Sequence, residues 1–198
     1  ANNLFFLENA EHLPVIITQG AKDKTVPPMH ARLFQKHLEI RDYQVNYREL
    51  QDKAHWWDEP RSEGGGSDAV DNNEIIEFLL KQKREIPNSF KIRLYDLSLN
   101  DRFYWIRVLS QEKSMSQTRI DASVKDGQVI LETENVRSLE IDLESFKHDV
   151  NQIQWNGVKT PVSGNQKVVL GESLESPLAH TIRKHGAFKS VFFSPFVL

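Results

Sequence analysis

Residues 14–27 read PVIITQGAKDKTVP. The first half is short, apolar and β-branched, the composition of a strand buried on both faces. The second half is a charged turn closed by Pro27, and Pro28 then pre-sets φ for a first helical turn. Ala31, Phe34 and Leu38 follow at helical spacing. A strand that feeds a helix belongs to an α/β layer. In an open sheet of that kind, the loop leaving the carboxyl end of a strand is where ligands and catalytic groups sit. Asp23 lies in that loop.

Working outward, YQVNY alternates at Tyr43, Val45 and Tyr47 and reads as the next strand. A long loop after it carries His55, Trp56, Trp57 and three consecutive glycines. No Gly-Lys-Ser/Thr follows the glycines, so the loop is not a phosphate-binding one. Asp71 and Glu74 have capping-box spacing ahead of Ile75, Ile76, Leu79 and Leu80. Lys81, Lys83 and Arg84 suit the negative end of that helix, and Pro87 blocks its extension.

Beyond Pro87 the hydrophobic period changes from about 3.6 to 2. Phe90, Ile92 and Leu94 alternate, as do Phe103, Trp105 and Arg107 against Tyr104, Ile106 and Val108. Ile120, Ala122 and Val124 run into Asp126-Gly127, and Val129 and Leu131 follow, which predicts a hairpin. Leu139, Ile141 and Leu143 form another strand; Ile153 and Trp155 precede Asn156-Gly157, and KVVL adds one more. Short strands at this spacing predict a β-sandwich. Trp105 and Trp155 alternate with apolar neighbours and read as core. The expected organisation is an α/β segment over 1–86, a sandwich over 87–170, and a linker leading into a further strand or domain over 171–198.

The chain has 198 residues, 39% hydrophobic and 27% charged, enough apolar content for a true core. A net charge of −3 gives no case for nucleic acid or an anionic membrane, and no apolar run approaches the ~18 residues of a membrane span. The absence of Cys excludes disulfides and thiolate metal sites. His12, His30, His37, His148, His180 and His185 show no metal-ligand spacing. Ala1 opens without Met or a signal-peptide pattern, and the chain stops inside SVFFSPFVL. The chain is therefore expected to be a piece of a longer protein, and no compartment is implied.

Asp23 and His55 follow successive strands, in the order acid then base. An Asp accepting from His Nδ1 fixes the tautomer, so that Nε2 can take a nucleophile's proton. Each residue also fits a structural role: Asp23 as a turn former, His55 as a packed histidine between turn and tryptophans. Trp56 and Trp57 could wall a substrate pocket or simply pack.

PVIITQGAKDKTVPPMHARLF and YRELQDKAHWWD resemble the end of the catalytic domain of prolyl-oligopeptidase-like α/β-hydrolases. In that family a Gly-x-x-Asp-x-x-Val-Pro turn supplies the acid, and a later His followed by a large residue supplies the base. The resemblance covers roughly the first 85 residues and implies Asp23 as acid and His55 as base. FYWIRVL, ETENVRSLEIDL and SPFVL are similar to a β-domain that follows the hydrolase domain in some large members. Asp52, Lys53 and Ala54 stand where the family often has glycines, and Gly-x-Ser-x-Gly occurs nowhere. The resemblance thus implies a serine peptidase or esterase without a cofactor, its nucleophile supplied by an upstream segment or a second chain. The alternative is a non-enzymatic binding or spacer module whose sandwich is the working part. On the hydrolase reading, residues 1–85 lack cover for their strand and do not form a self-sufficient domain.

Overall fold

The computed structural model describes residues 3–58, 66–146, 149–164 and 166–172. With 38% strand against 21% helix among the described residues, the fold is mixed α/β and dominated by sheet. The chain divides into two compact units, one of Asn9–Glu85 and one of Ala1–Glu8 with Ile86–Leu198.

In the first unit, β1 (Val15–Gly20), α1 (Pro28–Glu39) and β2 (Val45–Leu50) form a parallel β-α-β unit, registered from Val15 on Val45 to Gly20 on Leu50. Parallel neighbours need a crossover, and α1 provides it. Pro27 and Pro28 open the helix, and Leu38 is its fully buried residue. Arg32 on α1 clamps Glu49 on β2 through two bonds of 2.8 and 2.5 Å, and the Tyr47 hydroxyl donates to the same carboxylate at 2.6 Å. A short helix α2 (Asp68–Asp71) precedes α3 (Asn73–Leu80), whose Glu74 pairs with Arg48 at 2.5 Å. Arg48 and Glu49 are adjacent on a strand and so point to opposite faces. The Arg32–Glu49 and Arg48–Glu74 pairs therefore lie on opposite faces of the two-stranded sheet.

The cover is thinner than the apolar run predicts. Val15 to Thr18 are half-buried, and only Gln19 and Gly20 are fully enclosed. One partner strand and two short helices cannot shield both faces of β1 completely. Met29, Leu33, Ile76, Leu79 and Leu80 remain exposed, while Ile75 and Phe78 are the half-buried positions of α3. The cap of α3 also sits one residue later than the capping-box spacing suggests. Asn72, in extended backbone, accepts from the Ile75 amide at 3.2 Å, and Asp71 instead closes α2.

The second unit holds β3 (Ser89–Leu94), β4 (Arg102–Phe103), β5 (Ile106–Gln111), β6 (Thr118–Lys125), β7 (Gln128–Glu134), β8 (Val136–Asp142), β9 (Gln152–Trp155), β10 (Val158–Pro161) and β11 (Lys167–Gly171). They make a five-stranded sheet, β10-β9-β7-β6-β3, and a four-stranded sheet, β11-β8-β5-β4. All pairs are antiparallel except β7 with β9. One core joins both sheets: Phe90, Ile120 and Leu131 from one meet Ile106, Leu139 and Ile141 from the other. Trp105 is its largest member; its indole donates to the Pro87 carbonyl at 3.0 Å, and its ring lies against Phe90 and Phe146.

The expected hairpin forms at Asp126-Gly127, where Lys125 pairs with Gln128 and the two turn residues have φ of 50° and 75°. Such primed turns match the right-handed twist of the strands. The run 103–108 is not one strand, as its alternation implied. Phe103 pairs with Ile106, so the chain reverses at Tyr104 and Trp105, with Tyr104 at φ 50°. The Tyr104 ring packs on Phe90, and the turn drops Trp105 into the core.

The N-terminal segment departs from the expected 1–86 grouping, because residues up to Glu8 belong with the sheets. Residues of the 3-10 helix Asn3–Ala10 cover the outer face of β3 and β6. Phe5 packs edge-on and Phe6 tilted against Tyr95, Arg119 lies over the Phe5 ring, and Glu8 pairs with Arg93. Arg93 is consequently only 7% exposed, although it alternates with core residues on β3. Its guanidinium also bonds Asp121 at 2.6 Å and the Ile92 carbonyl at 2.9 Å. Of the stretch 171–198, expected as a linker leading into a further strand or domain, Gly171 instead ends β11, and 173–198 lies outside the described residues, as do His148, His180 and His185.

Candidate functional site

The site begins where β1 and β2 end side by side. The Ala21 amide bonds the Leu50 carbonyl and the Lys22 amide bonds the Lys53 carbonyl, both at 2.9 Å. The loop after β2 thus runs directly across the loop after β1. Gly20 makes this approach possible, since a β-carbon there would overlap the carbonyl oxygens of Ala54 and Lys53. The crossing delivers His55 to Asp23.

Asp23 is buried, and both of its carboxylate oxygens are occupied. Oδ1 accepts from the Thr25 and Val26 amides at 2.8 and 2.9 Å. Oδ2 accepts from His55 Nδ1 at 2.8 Å and from Gln19 Nε2 at 3.3 Å. Burial raises the carboxyl pKa, but the bonds from His55, Val26, Thr25 and Gln19 outweigh it and lower the group from 3.8 to about 2. Asp23 is therefore ionised at neutral pH. A carboxylate only accepts, so the shared hydrogen is on His55 Nδ1, and in the neutral ring Nε2 carries the free lone pair. The His55 side chain is about one-third exposed (34%), against 5% for that of Asp23.

The two tryptophans part company. Trp56 is 59% exposed, with its ring edge-on to His55 at a centroid distance of 5.1 Å. Trp57 is buried at 9%, and its indole nitrogen has no hydrogen-bond partner among the described residues. Gly66 returns against this segment: its amide donates to Asp58 at 2.6 Å, and a β-carbon there would press on that of Trp56. Gln19 was not singled out in the sequence. The available signal was a polar residue ending an apolar strand just before the Gly-x-x-Asp turn.

Among the described residues no group of three or more His, Asp or Glu side chains could hold a metal ion, and His30 is exposed while His37 is half-buried. No helix among them is long and apolar enough to cross a membrane. No protein-family model, curated protein or solved structure matches the chain. The chemistry available at the site is that of an ionised carboxylate orienting an imidazole base. Such a pair can accept a proton at Nε2 and stabilise the imidazolium that results.

Proposed function

We propose that Asp23 and His55 are the acid and base of a Ser-His-Asp triad in an α/β-hydrolase of the prolyl-oligopeptidase-like type. The observation that carries this reading is the 2.8 Å bond from His55 Nδ1 to Oδ2 of a buried carboxylate, at the carboxyl ends of adjacent parallel strands. The order acid then base along the chain agrees with that fold. The nucleophilic serine and the oxyanion donors come from an upstream segment or a second chain, since Gly-x-Ser-x-Gly is absent here. His55 Nε2 takes the proton from the serine hydroxyl as its oxygen bonds the acyl carbon. The proton then passes to the leaving amine or alkoxide, and water repeats the cycle to release the acid. Asp23 holds the ring and offsets its charge without taking the proton. Trp56, exposed beside the base, contacts the peptide or ester substrate, while Trp57 supports it from within.

The test is turnover of ester and peptide-anilide substrates by the intact protein that carries this chain. His55→Gln is expected to lower kcat by about 10³-fold or more. Equal turnover in His55→Gln overturns the reading and leaves the binding or spacer module.

A further inference from the structure

We infer that Gln19 is a positioning residue of this pair: its amide occupies one side of Asp23 Oδ2 and reserves the other for His55 Nδ1. The inference rests on the acid–base reading given above.

A turn-forming Asp needs only one oxygen, and the Thr25 and Val26 amides already satisfy Oδ1. Oδ2 is left with two lone-pair directions. His55 takes one at 2.8 Å, from the partly exposed side of the site. Gln19, buried at the end of β1, takes the other at 3.3 Å. The Gln19 amide is itself held, donating to the Gly20 carbonyl at 3.0 Å and the Val26 carbonyl at 3.2 Å. Those carbonyls stand at the entry and exit of the acid loop, so one side chain ties both ends of the loop to the carboxylate between them. Two amide hydrogens are shared among three acceptors, which leaves the group little freedom to rotate. The donor is also neutral. A cation at this position would pair with Asp23 and oppose the positive charge that His55 must acquire; an apolar side chain would leave Oδ2 half-satisfied and free to swing.

The experiment is nitrogen-15 NMR of the whole 198-residue chain, with the His55 ring signals assigned by their loss in His55→Gln. In the wild type the neutral ring is expected as the Nδ1-protonated tautomer. In Gln19→Met it is expected to shift toward a mixture of tautomers, with the β1 and β2 amide signals retained. In Gln19→Leu, a second apolar variant, the same shift toward a mixture is expected. Wild-type tautomer in a folded Gln19→Met overturns the inference. If Gln19→Met does not fold, the wild-type tautomer in a folded Gln19→Leu overturns it. Loss of the β1 and β2 signals in both variants assigns Gln19 to the loop alone and also overturns it. Failure of the hydrolase reading is a different result, absence of turnover in the intact protein, and it leaves these spectra as described.

Discussion

Gly20 carries the site more directly than any charged residue around it. It lies under the backbone of Lys53 and Ala54, where any side chain collides with main-chain oxygens that cannot move without breaking the Lys22–Lys53 bond. Gly20→Ala is expected to destabilise the α/β unit by about 3 kcal/mol, as overpacking against backbone does. Urea unfolding followed by Trp57 fluorescence measures this, and a loss under about 1 kcal/mol contradicts the close crossing. The carboxylates set the acid response. Asp23 falls from 3.8 to about 2, and Glu49 falls from 4.5 to about 2 through its bonds from Arg32 and Tyr47. Both are lowered on folding, so the unfolded chain binds more protons across that window. Their contribution is complete above pH 4.5 and is lost as pH falls toward about 2. Asp23→Asn and Glu49→Gln should each flatten the fall in stability over this range, read by circular dichroism; an unchanged slope in both contradicts the bonding described. Asp23 and His55 were legible because each follows a readable strand, the first from its apolar run and the second from its alternation. Gln19 was not, because its partners are two carbonyls and a carboxylate related by no fixed spacing.

Elements were legible where period and turn chemistry agreed. Phe90, Ile92 and Leu94 alternate inward as read, and Asp126-Gly127 turns as its residue types require. The reading failed at Tyr104, where a bulky residue takes a left-handed turn position that sequence preference assigns to Gly, Asn or Asp. Arg93, between Ile92 and Leu94, is buried although the alternation of its neighbours turns it away from the core. The segment carrying Phe5, Phe6 and Glu8 covers that face, a long-range contact that no local period encodes. A buried guanidinium with charged partners is costly to cut. Arg93→Met is expected to destabilise the all-β unit by about 2 kcal/mol, through loss of charge-assisted bonds to Asp121 and Glu8. Thermal unfolding tests this, and a change below about 0.5 kcal/mol, the range of ordinary surface substitutions, contradicts the role.

At the scale of the molecule, the two units differ in what they bury. The sheets of the second unit share a continuous core that includes Ile120, Val129, Leu131, Leu139, Ile141 and Ile153, each fully buried. The first unit has Leu38 fully buried, while most of β1 is half-buried. Amide hydrogen exchange should therefore be slowest in β6 and β7 and faster in β1 and β2, since local opening follows the density of buried contacts. Equal protection of the two sets contradicts the difference in packing. The split of periodicity near Pro87 made the two kinds of structure legible, but the return of residues 3–8 to the sheets was invisible to it. On the proposed reading, the nucleophile belongs to another segment or chain. The most direct test of that claim is fluorophosphonate labelling of the intact protein recovered through an antibody to this chain. The account predicts a labelled serine outside residues 1–198, with labelling slowed by about 10³–10⁴-fold in Asp23→Asn and His55→Gln. No label, or labelling at the same rate in both variants, contradicts it.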